Sequence, residues 1–87
     1  MQKLTLNDGT VLENSYAIED EESRTLFLYT QNEYTLKEVF DNLYDQEKAK
    51  KIVMSNNDDV VHTFKGYKRL IAVRDEGRGM VTAVLKK

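Results

Sequence analysis

Leu4 and Leu6, then Val11 and Leu12, stand on either side of Asn7-Asp8-Gly9-Thr10. Asp-Gly supplies the positive φ angles of a two-residue hairpin turn, so the chain is expected to open with a hairpin. The return strand runs to about Ile18, and the polar stretch Glu19 to Ser23 reads as a loop or hairpin tip. Leu26-Phe27-Leu28-Tyr29 is a compact apolar run between polar residues, the pattern of a third strand. Thr35-Leu36-Lys37-Glu38 then forms a capping box, in which hydroxyl and carboxylate satisfy backbone amides left free at a helix start. Leu36, Val39, Phe40, Leu43 and Tyr44 recur at helical spacing and predict one apolar stripe facing a sheet, with Lys37, Glu38, Asp41 and Asn42 turned away.

After the helix, Ile52 to Met54 and Val60 to Phe64 predict a hairpin around Ser55-Asn56-Asn57-Asp58-Asp59, whose side chains favour turns. Tyr67 to Arg74 and Met80 to Leu85 predict the last two strands, joined through Asp75 to Gly79. The order βββαββββ describes a single α+β domain over residues 1–87, an antiparallel sheet of about six to seven strands with one helix packed on it. No proline guards an edge strand, so pairing through a sheet edge is available, with the final strand as candidate and its lysines as gatekeepers.

Composition narrows the possibilities. A chain of 87 residues has room for one core, and with no cysteine it lacks disulfides, thiolate metal sites and thiol nucleophiles. No apolar run is long enough for a signal peptide or a membrane span, so the expected location is the cytoplasm. The net charge of −2 conceals a division: residues 1–47 carry eleven acids and three bases, and residues 48–87 carry four acids and ten bases. The halves, at −8 and +6, neutralise if the fold interleaves them, because opposite charges favour each other across antiparallel strands.

Candidate chemistry is sparse. The only histidine, His62, is expected to share a strand face with Val60 and Phe64. It would need an orienting carboxylate, which Asp58 or Asp59 could supply only if the turn folded back. One histidine without cysteine makes a poor metal site, and the acidic clusters Glu19 to Glu22 and Asp58-Asp59 lack the spacing of a calcium loop. No catalytic residue, cofactor site or metal ligand is therefore assigned. Phe64-Lys65-Gly66-Tyr67-Lys68-Arg69 mixes aromatics with cations, as nucleic-acid surfaces do, but its rings suit a core equally well and the chain is acidic, so direct nucleic-acid binding is not expected. Tyr16, Tyr29, Tyr34, Tyr44 and Tyr67 are of the type that protein interfaces favour.

Leu4-Thr5-Leu6-Asn7-Asp8-Gly9-Thr10, Thr35-Leu36-Lys37-Glu38-Val39-Phe40, Gly66-Tyr67 and Asp75-Glu76-Gly77 together resemble small proteins encoded by phages and prophages of Gram-positive bacteria. The resemblance implies a role in tail or virion structure, or an accessory function against the host, in the host cytoplasm or on the virion. It implies no catalytic residues. The resulting expectation is a non-enzymatic protein-binding module, virion- or tail-associated or an assembly accessory, able to form a homodimer through a sheet edge. The alternative is an inhibitor of host defence of the anti-CRISPR type, whose acids imitate a phosphate backbone. The residues expected to meet the partner are Glu19, Asp20, Glu21, Glu22, Glu38, Asp41, Asp45 and Tyr67.

Overall fold

A computed structural model describes residues 2–31 and 35–87. Tyr34, one of the tyrosines singled out above, lies outside the described residues. Eight strands and two short helices follow the order β1 (Gln2–Thr5), β2 (Val11–Glu13), β3 (Ser15–Asp20), β4 (Thr25–Gln31), α1 (Leu36–Tyr44), α2 (Gln46–Ala49), β5 (Lys51–Asn56), β6 (Asp59–Lys65), β7 (Arg69–Gly77) and β8 (Met80–Lys86). The architecture is α+β, but the expected single sheet is two antiparallel sheets of four strands, ordered β2-β1-β5-β6 and β3-β4-β8-β7.

The division arises at Asn14. Its φ of 51° is left-handed, a conformation asparagine tolerates better than most residues. The run expected to be one return strand therefore breaks into β2, paired with β1 in the first sheet, and β3, paired with β4 in the second. The Asn14 carbonyl accepts from the Gln31 amide at 3.2 Å, and the buried Ser15 hydroxyl donates to the Glu13 carbonyl at 2.9 Å. Both bonds hold the corner while keeping its polar groups satisfied.

The opening turn also differs in kind. Gly9, at φ 92°, is alone in the Asp8-Gly9 pair in having a positive φ, and Leu6 N–H donates to the Thr10 carbonyl at 2.7 Å. The connection is a five-residue loop, Leu6 to Thr10, braced by Asp8 Oδ1 on the Thr10 amide, which removes the need for a two-residue turn. At the other end of the chain, β7 continues through Asp75, Glu76 and Gly77, so only Arg78 and Gly79 are left for the turn.

One core lies between the sheets. Leu4, Leu12, Ile52 and Phe64 come to it from the first sheet, and Ala17, Leu26, Leu28, Val81, Ala83 and Leu85 from the second. Helix α1 starts on the expected capping box, with Thr35 Oγ1 accepting from the Glu38 amide and Glu38 Oε2 accepting from the Thr35 amide. It packs against β7 and β8 and buries Val39 and Leu43 in the same core. The expected stripe is only half used: Leu36, Phe40 and Tyr44, spaced at four and four, remain exposed. Asp45 then caps α2 by accepting from the Glu47 amide, so a second short helix follows directly on α1.

The final strand is not an edge. Strand β8 sits between β4 and β7, pairing with β4 along seven residues from Met80 opposite Gln31 to Lys86 opposite Thr25. The edges are β2 and β6 in one sheet and β3 and β7 in the other. Two of these are interrupted by bulges, at Val61 in β6 and at Ile71 and Glu76 in β7, a device that discourages edge pairing. The Val61 bulge also breaks the expected shared face of Val60, His62 and Phe64. His62 and Phe64 pair with Met54 and Ile52, on the side of Leu4, whereas Val60 pairs with Ser55.

Candidate functional site

The acidic residues at the end of β3 do not behave as one surface. Alternation along β3 turns Glu19 toward the interior with Ser15 and Ala17, because these face the inward Leu26, Thr30 and Leu28 of β4. There Glu19 Oε2 accepts a 2.5 Å hydrogen bond from the Tyr67 hydroxyl, and Glu19 Oε1 lies 3.8 Å from His62 Nε2. Tyr67 itself is 1% exposed. Burial, then the bond to Glu19 and the charges of Glu19, Glu21 and Asp20, push its hydroxyl up to about 12. Lys87 Nζ stands 4.9 Å from the centre of the Tyr67 ring, and the His62 and Phe64 rings are 4.6 Å apart.

This group ties the edge of one sheet to the edge of the other. The carboxylate beside His62 is Glu19, 43 positions away along the chain, rather than Asp58 or Asp59. Among the described residues no three histidine, aspartate or glutamate side chains converge as a metal site. Among the described residues no helix is long and apolar enough to cross a membrane.

The remaining acids named from sequence are scattered among local duties. Asp20 Oδ1 accepts from the Glu22 and Ser23 amides, and Ser23 first, with smaller contributions from Glu22 and Lys86, holds its carboxyl below the usual carboxylate range. Glu38 completes the capping box, Asp41 pairs with Lys37 at 2.7 Å and Asp45 caps α2. Of the eight residues, only the Glu21 and Glu22 side chains make no hydrogen bond or ion pair among the described residues. Asp20 with Lys86, and Asp8 with Lys48 at 3.6 Å, show the two oppositely charged halves interleaving.

A larger feature lies on the outward face of the second sheet. Cross-strand register sets Ile18, Phe27, Val84 and Ala72 in one row and Tyr16, Tyr29, Thr82 and Arg74 in the next. Tyr16 and Tyr29 stack with ring centres 4.9 Å apart. Ile18 is 53% exposed, and Tyr16, Phe27, Tyr29 and Val84 are half-buried. None of these side chains belongs to the core between the sheets, nor do they pack against it. The third row, Asp20, Thr25, Lys86 and Arg69, rims this apolar surface with an acid on the β3 side and bases on the β7 side.

The sequence carries one sign of this face. Residues Leu26 to Tyr29 are apolar at every position instead of at alternate ones, the mark of a strand with apolar groups on both sides. Phe64 and Tyr67, the rings that suggested base stacking, are both buried. Neither a protein-family model nor a curated protein nor a solved structure matches the chain.

Proposed function

We propose that this chain is a non-enzymatic protein-binding module, a virion-associated or assembly accessory of the phage type its segments resemble, and that it meets its partner through the outward face of β3, β4, β8 and β7. The observation that carries this reading is the pair of cross-strand rows Ile18-Phe27-Val84-Ala72 and Tyr16-Tyr29-Thr82-Arg74. In a chain that is 32% charged, seven of the eight residues in these rows are uncharged, and the eighth, Arg74, lies on the edge strand β7. Contiguous apolar surface bordered by polar residues marks interaction sites, and aromatic residues supply much of the binding energy at such sites.

The acidic-face alternative has less to draw on. Five of its seven acids are engaged within the molecule by Tyr67, Thr35, Lys37 or the backbone of turns and caps. A mimic of nucleic acid needs acids free to meet cations on another surface.

The test is capture of the tagged protein from infected cells beside an Ile18→Glu variant, with the recovered proteins identified by mass spectrometry. Ile18 is exposed, so the change leaves the fold intact while placing a charge in the apolar row. A virion or assembly protein recovered in stoichiometric amount with the natural chain and lost with the variant is the expected result. Equal recovery with both proteins would remove the sheet face from the reading. A nuclease, retained by Ile18→Glu and lost on charge reversal of Glu21 and Glu22, would replace it with the alternative.

A further inference from the structure

Four lysines from separate parts of the chain meet at one end of the first sheet. Lys50 and Lys51 stand where α2 gives way to β5, Lys65 ends β6, and Lys68 lies in the connection to β7. Together with Asn7 and Gly66 they line an open groove of about 370 Å³. The backbone beneath them is fixed by two bonds that join distant segments, Asn7 N–H to the Lys48 carbonyl at 2.9 Å and Gly66 N–H to the Lys50 carbonyl at 3.2 Å. The positions from which the cations extend are thus set before any ligand arrives.

Lys51 and Lys65 are direct cross-strand partners. Like charges so placed repel, because opposed side chains start only about 5 Å apart. Among the described residues no acid pairs with any of the four, while Asp8, the acid of the neighbouring loop, is held by Lys48. Lys68 also borders a second groove, whose lining includes Arg69 together with Asp45 and Tyr44. A sheet that sets two lysines face to face without a counter-charge favours an anion between them.

We propose that this groove binds the phosphate backbone of a nucleic acid without reading its sequence. Its lining favours phosphate over an acidic protein surface. Every cation in it is a lysine, which acts on phosphate as a point charge, and no apolar or aromatic side chain is present to anchor a protein. Protein interfaces are depleted of lysine and rely on aromatic and arginine anchors. Cations from three segments suit several phosphates in succession rather than one enclosed ion. The site is separate from the outward face of the second sheet and stands whether or not that face binds a protein.

Fluorescence anisotropy of a labelled 20-nucleotide DNA, single-stranded and duplex, between 50 and 200 mM KCl tests the proposal. Four neutralised phosphates give a slope of log K against log salt of about −2.8 for the single strand, so its affinity falls roughly 50-fold over that range. For the duplex the slope is about −3.6 and the fall roughly 150-fold. The Lys50→Gln, Lys51→Gln, Lys65→Gln, Lys68→Gln combination abolishes binding at 200 mM. All four residues are exposed, so its urea midpoint stays at or above that of the natural chain. Lys51→Gln and Lys68→Gln tested singly each lower the single-strand slope by about 0.7, which keeps the test decisive if the combination folds poorly. No binding at 50 mM, or equal binding by the quadruple variant, overturns the proposal. So does a labelled poly-glutamate peptide that binds as tightly as DNA with the same dependence on the four lysines.

Discussion

Replacing Tyr67 by phenylalanine removes one oxygen and leaves the ring, its burial and its contact with Lys87 in place. What is lost is the 2.5 Å hydrogen bond to Glu19, whose side chain is only 19% exposed and then retains His62 Nε2 at 3.8 Å and limited water. A hydrogen bond to a charged group contributes about 1.5 to 3 kcal/mol net. With a melting shift of roughly 4 to 8 °C per kcal/mol in a domain of this size, Tyr67→Phe should lower Tm by about 6 to 24 °C.

Burial of the same hydroxyl, reinforced by its bond to Glu19, has an alkaline signature. The hydroxyl is raised from about 10 to about 12 in the folded protein, so the native chain keeps a proton that the unfolded chain gives up. That contribution is complete below pH 10 and is lost as pH rises through 12. It amounts to roughly 2 to 3 kcal/mol over the whole interval, about half of it gone by pH 11. Urea unfolding followed by circular dichroism at pH 7 and pH 11 measures both effects. Tyr67→Phe should be weaker at pH 7 and should lose about 1.4 kcal/mol less than the natural chain on going to pH 11. A cost below about 0.5 kcal/mol at pH 7, or identical losses at pH 11, would show that the Tyr67 and Glu19 pair does not hold the sheet edges together.

Two other positions test the fold more simply. Thr82 Oγ1 is buried without a hydrogen-bond partner among the described residues, so the nearly isosteric Thr82→Val should raise stability by about 1 kcal/mol, read as a higher urea midpoint. At Asn14, with φ of 51°, Asn14→Gly should change stability by only a few tenths of a kcal/mol, whereas Asn14→Val should cost about 1 to 2 kcal/mol. Equal melting temperatures for those two variants would refute the account of how one strand enters two sheets.

Much of the local structure was legible in the residues. The capping box Thr35 to Glu38, the paired valine and leucine at 39 and 43, and turns within Ser55 to Asp59 and Asp75 to Gly79 act within a few positions of chain, where hydroxyl, carboxylate and glycine chemistry suffices, although the turns proper are only 57–58 and 78–79. The exposure of Phe40 and Tyr44 was not legible, because helical spacing shows which residues share a face and not how wide a sheet lies beneath them. Their rings stack on each other at 5.1 Å instead of entering the core. The acidic stretch misled for a related reason: composition suggests a charged surface, but alternation in β3 sends Glu19 inward, and the neighbouring acids are taken up by their own turns and caps.

The sequence by itself determined that these 87 residues, free of cysteine, form antiparallel strands and a capped helix, because strand propensity, turn chemistry and capping act over short stretches of chain. Only the tertiary structure decided that the strands divide into two sheets at Asn14, that Glu19 meets Tyr67 and His62, and that Lys50 and Lys51 share a groove with Lys65 and Lys68. Those arrangements rest on pairings between residues from about 14 to 61 positions apart. Such pairings are chosen by burying a common core, an energy that belongs to the assembled sheets and to no single segment.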